Sequence, residues 1–105
     1  MKKSPQECIT KEDIRAEIDR LDGALVALLA ERFAYVRRMS ELKANPDEAL
    51  VPARVEEVLS RVAARAVDAG LDPGLARALW AALIDWNIGF EREAIARRLE
   101  AGDGA

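Results

Sequence analysis

Apolar residues along the first part of the chain recur in alternating steps of four and three, the spacing that lines one face of an α-helix. Thr10 and Asp13 resemble a capping box, with Asp in place of the usual Glu, so a helix is expected to begin just after Thr10. Nothing interrupts the pattern before Asn45-Pro46, where proline forbids a continuing helix. We therefore predict a first helix over about residues 11–43, with an apolar stripe of Ile14, Ile18, Leu21, Leu25, Leu28, Tyr35, Met39 and Leu42.

Two further helices are predicted after a connecting loop at residues 44–51. The second is expected over about residues 52–69, because a proline suits its first turn and Gly70 suits the position after its end. Asp72 suits an N-cap and precedes a proline, which predicts a third helix over about residues 73–100 and a frayed tail AGDGA. The stripe of the third helix is Leu75, Leu79, Leu83, Trp86, Phe90, Ile95 and Leu99.

The first helix is too long for a compact domain of this size. About 33 residues span about 50 Å, whereas a domain of 105 residues has a radius of gyration of about 13 Å. Such a helix cannot bury its stripe against its own chain alone. We therefore predict an all-α fold with three helices per protomer and a homodimer in which two long helices pack side by side. The alternative is a helical hairpin with a projecting arm.

Composition narrows the possible functions of this single domain. Half of the residues are apolar and a third are charged, and the net charge of −3 argues against binding to nucleic acid. The absence of histidine removes the usual general base and most zinc sites, so neither a metal nor a cofactor is expected. Cys8 is the single cysteine and has no base beside it, which fits a cytoplasmic protein without a catalytic thiol. No apolar segment is long enough for a membrane span, and none follows the N-terminal lysines as in a signal peptide.

Cations interrupt the stripe of the first helix. Arg32 takes an apolar position, and a buried guanidinium requires an anion beside it. Lys43 lies eleven residues later, within about 20° of the same face and about 16 Å along the axis, so both side chains can hold one small anion. Arg15 lies about 25 Å from Arg32 and reaches the same ligand only from an antiparallel partner helix.

Two polar residues share the inner face of the third helix. Asn87 and Glu91 stand at i and i+4, on the face of Trp80 and Ile84, where a carboxylate is unexpected without a cation. Trp80 and Trp86 are both expected in the core.

Surface positions are the alternative for all of these charged residues. In that interpretation Arg32 and Lys43 are solvated flank residues. Arg15 then pairs with Glu12, Asp19 or Asp22, and Glu91 with Arg92 or Arg98. The residues alone thus predict an all-helical dimer with a candidate anion pocket.

The order of these motifs resembles the all-helical (AroQ) class of chorismate mutases. The resemblance runs from about Ser4 to Arg98, through DIRAEIDRLDGALVALLAERFAYV, Lys43, PARVEEVL and LDPGLARALWAALIDWNIGFE. Within that class the chain is most similar to the isochorismate-pyruvate lyase subgroup, through SPQECITKEDIR and the PxRV stretch from Pro52 to Val55. The resemblance implies an intertwined homodimer with two equivalent sites.

The resemblance also implies a role for each candidate residue. Arg15 from the partner subunit and Arg32 from within the chain are expected to bind substrate carboxylates. Lys43 is expected to contact the ether oxygen and a carboxylate, at the start of a loop that acts as a lid. Arg54 matches a supporting loop arginine, and Asn87 matches a small polar residue that helps to hold a carboxylate.

Two positions depart from the pattern of the mutases. Val55 stands where they commonly carry a glutamate that binds the C4 hydroxyl, and the lyase-like subgroup shares this departure. Glu91 stands opposite Lys43 where most bacterial members have glutamine, although some mutases use glutamate. Because glutamate donates a hydrogen bond only when protonated, the hypothesis is that Glu91 acts as a neutral acid.

The first candidate function is that of a chorismate mutase, which is the general activity of the class. Such an enzyme rearranges chorismate to prephenate by electrostatic clamping of the dianionic substrate. The second candidate is the isochorismate-pyruvate lyase reaction, which gives salicylate and pyruvate. Both are treated as pericyclic reactions, so they require no nucleophile, metal or general base. They would place the protein in aromatic amino acid or salicylate biosynthesis. The third candidate is a helical dimerisation module without catalytic activity.

Overall fold

The computed structural model describes residues 2–103, which contain three α-helices, two short 3-10 turns and no strand. Helix α1 spans Lys11–Leu42, α2 spans Pro52–Ala69 and α3 spans Pro73–Asp103. The 3-10 turns cover Pro5–Glu7 and Pro46–Ala49. The prediction of an all-α chain with three helices and a very long first helix is confirmed.

The third helix continues past its predicted end. It includes residues 101–103, for which fraying was expected, because no proline or left-handed residue stops it there. The last two residues of the AGDGA tail lie outside the described residues.

The predicted cap at the start of α1 is present. The Thr10 hydroxyl accepts a hydrogen bond from the backbone N–H of Asp13 at 3.1 Å. The Asp13 carboxylate in turn accepts from the backbone N–H groups of Ile9 at 3.0 Å and Thr10 at 3.2 Å. These amides of Ile9 and Thr10 favour the ionised carboxylate and hold the pKa of Asp13 below its usual value.

The predicted signals between α2 and α3 are also present. Gly70 has φ 80°, in the left-handed region that glycine adopts without strain, and its N–H caps the carbonyls at the end of α2. The Asp72 carboxylate accepts from the N–H groups of Gly74 at 2.7 Å and Leu75 at 3.1 Å, in the first turn of α3. A glycine backbone in the left-handed region thus ends α2, and a side-chain cap begins α3.

The chain divides after Tyr35 into two compact units. The first holds the N-terminal segment and most of α1, and there the backbone N–H of Lys3 donates to the Glu17 carboxylate at 3.0 Å. The second holds the end of α1, the second 3-10 turn, α2 and α3. Within this second unit α3 packs against both α2 and the 3-10 turn.

The packed face of α3 matches the stripe of large apolar residues predicted for it only in part, since Ile95 is fully buried but other members of the stripe are exposed. Its most buried side chains are Ala76, Asn87, Glu91 and Ile95. Helix α3 is apolar on more than one face, so its own chain covers one face and leaves another outside. The exposed members of the predicted stripe are between 40% and 63% accessible, namely Leu75, Leu79, Trp86 and Leu99.

Trp86 therefore does not lie in the core, and that prediction is wrong. It is exposed and stacks on Phe90 one turn later, with ring centroids 6.1 Å apart. Trp80, on the packed side of α3, is half-buried.

The stripe of α1 is also exposed. From Ile14, 48% accessible, to Leu28, 61% accessible, its large apolar side chains are about half open to solvent. This is the outcome expected of a helix of 32 residues, about 48 Å long, that its own chain cannot cover.

Candidate functional site

Lys43 and Glu91 form an ion pair in the second unit. Lys43 follows the last residue of α1, and its Nζ lies 3.1 Å from Oε2 of Glu91 on the packed face of α3. Their side chains are 19% and 8% exposed. A charged side chain that is largely withdrawn from water is costly unless an opposite charge lies beside it. Lys43 and Glu91 compensate each other in this way. The alternative in which Glu91 is a surface residue paired with Arg92 or Arg98 is wrong.

Asn87 lies on the same face of α3, one turn before Glu91. It is buried, as Glu91 is, and the half-buried Trp80 and Ile84 precede it on that face. The sequence prediction that these four residues share the inner face of the helix is confirmed.

Arg98 contacts the backbone at the end of α1. Its Nη1 donates to the carbonyl of Ser40 at 2.6 Å, and its Nη2 donates to the carbonyl of Lys43. Ser40 itself is buried, and its hydroxyl donates to the carbonyl of Arg37 at 2.6 Å. In the sequence, Arg98 was considered only as a partner of Glu91, and its contact with the backbone was missed. The available signal was its position seven residues after Glu91, which puts both side chains on one face of the helix.

The loop after Lys43 is stabilised by hydrogen bonds between its own side chains and its own backbone amides. The Glu48 carboxylate accepts from the backbone N–H groups of Ala44 at 2.6 Å and Asn45 at 2.9 Å. The Asn45 side chain accepts from the N–H of Asp47 at 2.8 Å, which completes a capping box around the second 3-10 turn.

Arg54 lies apart from this cluster. It stands on the exposed first turn of α2, where its Nη1 is 2.7 Å from Oε1 of Glu57. Within residues 2–103 it forms no hydrogen bond or ion pair with Lys43 or Glu91. Glu57 also pairs with Arg61 at 3.0 Å, so Arg54 belongs to a solvated charge cluster in the free protein.

The other two predicted cations belong to the first unit. Arg15 is exposed, and in the described chain no ion pair joins it to Glu12, Asp19 or Asp22. Arg32 is half-buried, and its Nη1 is a buried nitrogen that has no hydrogen-bond partner among residues 2–103. An unsatisfied guanidinium nitrogen is costly, and an anionic ligand is one way to satisfy it. This burial is not that of a solvated flank residue.

Residues 2–103 contain no group of three or more Cys, Asp or Glu side chains placed to hold a metal ion. None of their helices combines the length and apolar character needed to cross a membrane. Cys8 is a half-buried free thiol.

Comparisons with known proteins agree on one family. The family model of chorismate mutase type II matches residues 14–92. The chain is also 37% identical over 86 residues to the isochorismate pyruvate lyase of Pseudomonas aeruginosa, a match that covers 82% of this chain and 85% of that protein. The resemblance found in the sequence is thereby confirmed, and this three-helix chain belongs to the chorismate mutase type II family.

Proposed function

We propose that the protein is a chorismate mutase, and the observation that carries this proposal is the partly buried contact between Lys43 and Glu91. The rearrangement breaks the ether C–O bond and forms a C–C bond within one molecule, so no atom leaves. Negative charge develops on the ether oxygen as that bond breaks. An ammonium held in a poorly hydrated position is suited to stabilise such charge.

Arginines supply the binding of the two carboxylates in this proposal. Arg32 binds one of them, supported by its buried nitrogen without an acceptor. Arg15 of a second copy binds the other, as the resemblance implies. A bidentate guanidinium–carboxylate contact fixes both the position and the orientation of the substrate. In solution the same dianion is flexible and samples many conformations. Asn87 assists in holding a carboxylate, and Arg54 joins after leaving Glu57.

Glu91 has a specific part in the same proposal. In the free protein it pairs with Lys43. When the dianionic substrate enters, Glu91 takes up a proton from the solvent, and the ether oxygen accepts hydrogen bonds from Lys43 and from the resulting carboxyl group of Glu91. A millionfold acceleration requires about 8 kcal/mol, a scale that a few preorganised contacts of this kind can supply.

A second copy of this chain completes the proposed assembly. The stripes of α1 and α3 leave large apolar side chains exposed along helices of 32 and 31 residues. A surface of this kind is typical of a subunit interface, and the length of α1 favours a matching helix beside it. We propose an intertwined homodimer in which each copy contributes Arg15 to the site of the other.

The isochorismate-pyruvate lyase reaction is the second candidate. The observations that favour it are Val55 and the 37% identity to a protein of that name. In that reaction the ether C–O bond breaks while a ring hydrogen moves to the enolpyruvyl methylene, leaving salicylate and pyruvate. The same cations serve it, because the substrate is again a dianion with a breaking ether bond.

Offering both substrates to the purified protein tests the proposal. We expect chorismate to be consumed with the appearance of prephenate, and a Lys11→Ala variant to match the wild type. Fluorescent salicylate from isochorismate, without prephenate from chorismate, identifies a lyase instead. A folded protein that turns over neither substrate, and that a chorismate transition-state analogue does not protect against heat, is a dimerisation module.

A further inference from the structure

The end of α1 is stabilised by residues distant in the sequence. In a continuing helix the carbonyl of Ser40 accepts from the N–H of Ala44, four residues on. Here the N–H of Ala44 donates to Glu48, so that carbonyl loses its helical partner. The carbonyl of Lys43, just beyond the helix, has none in the helix either. Both carbonyls accept from Arg98 instead.

Arg98 suits this position for two physical reasons. Its planar guanidinium presents donors in a fixed fork, so Nη1 and Nη2 can reach two carbonyls at once. Its positive charge also lies at the C-terminal end of α1, where the helix dipole is negative. Although Arg98 belongs to an exposed stretch of α3, its hydrogen bond to Ser40 is partly buried.

Two residues of helix α3 therefore bind Lys43, one at its side-chain ammonium and the other at its backbone carbonyl. Glu91 pairs with the ammonium, and Arg98 binds the carbonyl of the same residue. These two contacts arise seven residues apart on α3, which places them on one face of that helix. The backbone contact fixes where the Lys43 side chain starts, and therefore where its ammonium can be placed.

We infer that Arg98 is a positioning residue that acts through Lys43, an inference that rests on the proposed function. It touches no reacting atom. Its contribution is to keep the ammonium in place when Glu91 must release it to the substrate. Misplacing a catalytic group by about 1 Å can cost about a hundredfold in rate, so loss of this support reduces turnover more than substrate binding.

Kinetics of Arg98 variants test this inference. We expect Arg98→Met to lower kcat by about tenfold or more with little change in KM, and Arg98→Lys to fall between it and the wild type, because an ammonium cannot span both carbonyls. Arg97→Met is the matched control, since Arg97 is an exposed neighbour on the same helix that pairs with Glu93 at the surface. A wild-type kcat in Arg98→Met overturns the inference.

A double variant separates positioning from general stability. If Arg98 acts through Lys43, adding Arg98→Met to Lys43→Ala lowers kcat no further, because the group being positioned is already absent. Independent losses that multiply in the double variant contradict the inference. Should Arg98→Met fail to fold, Arg98→Lys is used in the same cycle.

Amide hydrogen exchange gives a readout that does not require turnover. We expect exchange across residues 40–49 to be about tenfold faster in Arg98→Lys than in the wild type, with α2 unchanged. Unchanged exchange over residues 40–49 overturns the inference even if the wild type is active. Conversely, a wild type that turns over neither substrate removes the proposed function, while this measurement still decides whether Arg98 holds the turn.

Discussion

Lys43 and Glu91 meet across 48 positions of sequence, with 3.1 Å between Nζ and Oε2, and join the end of α1 to the packed face of α3. Both side chains are largely withdrawn from water, so removing one partner leaves the other as a costly unpaired charge. The contact proposed to serve catalysis therefore also contributes to the packing of the second unit.

Lys43→Ala is expected to lower kcat/KM by about a hundredfold or more, because it removes the group proposed to stabilise the breaking ether bond. The measurement is steady-state turnover of chorismate, with circular dichroism to establish that the helices persist. Lys11→Ala, at the exposed start of α1, is the control and is expected to remain fully active. Wild-type turnover in Lys43→Ala contradicts the proposed mechanism.

Glu91→Gln is expected to flatten the dependence of kcat/KM on pH. If Glu91 must be protonated to donate to the ether oxygen, wild-type activity falls as pH rises, whereas glutamine donates at every pH. Glu93→Gln is the control, because Glu93 lies on the exposed side of α3 and pairs with Arg97. An identical profile in wild type and Glu91→Gln rejects the neutral-acid hypothesis.

Mixing two inactive variants is expected to restore activity if each site uses arginines from both subunits. Arg15→Ala and Arg32→Ala should each lower kcat/KM by about a hundredfold, since each removes one of the proposed contacts with a substrate carboxylate. A heterodimer of the two has one site with both arginines intact. Turnover is measured after the mixed subunits are unfolded and refolded together. Failure to recover any activity places Arg15 outside the partner's site.

Leu25→Asp is expected to weaken the homodimer, because it puts a charge in the exposed stripe of α1 that a second copy is proposed to cover. Sedimentation of the wild type and the variant over a range of concentrations measures the effect. Val67→Asp on α2 serves as the control, since Val67 is similarly exposed but lies outside the two stripes. A monomeric wild type at all concentrations contradicts the dimer.

Acid is expected to loosen the N-terminal segment first. Hydrogen bonds from Ile9 and Thr10 lower the pKa of Asp13, and one from the backbone of Lys3 lowers the pKa of Glu17. Carboxylates with a lowered folded-state pKa contribute stability above their usual values of about 4, and this contribution disappears as pH falls through the lowered pKa.

Hydrogen exchange or limited proteolysis of the first 20 residues, between about pH 5 and pH 2.5, measures this loss. The Asp13→Asn variant should show a weaker dependence on pH in that range, because the carboxylate that titrates is gone. Glu12→Gln is the control, since its side chain is exposed and takes no part in the cap. Equal dependence in Asp13→Asn and wild type contradicts the prediction.

Features that depend on neighbouring residues were predictable from the sequence. The Thr10–Asp13 cap, the left-handed Gly70 and the Asp72 cap each involve contacts within a few positions. Thr, Asp and Gly have known preferences for capping positions at helix ends, so the residue types alone predict these contacts. The helix ends they control therefore agree with the structure.

The orientation of α3 was harder to predict, because the helix is apolar on more than one face. The larger side chains suggested the stripe of Trp86, yet the chain buries the face of Asn87 and Glu91. Periodicity identifies an apolar face but does not say whether the same chain or another copy covers it.

Contacts between distant residues could not be derived from spacing. The expectation that Glu91 faces Lys43 came from the family resemblance, and the structure brings the two together. The contact of Arg98 was missed because its acceptors are backbone carbonyls of Ser40 and Lys43, which every residue possesses and no motif reveals.

The capping box around the second 3-10 turn limits where residues can be inserted into the connection between α1 and α2. A residue inserted between Ala44 and Glu48 moves the carboxylate away from both amides that it accepts from. Leu50 and Val51 are extended and exposed, and an insertion between them leaves the hydrogen bonds of Glu48 intact. Insertions are therefore expected to be tolerated at residues 50–51 better than at the residues directly after Lys43.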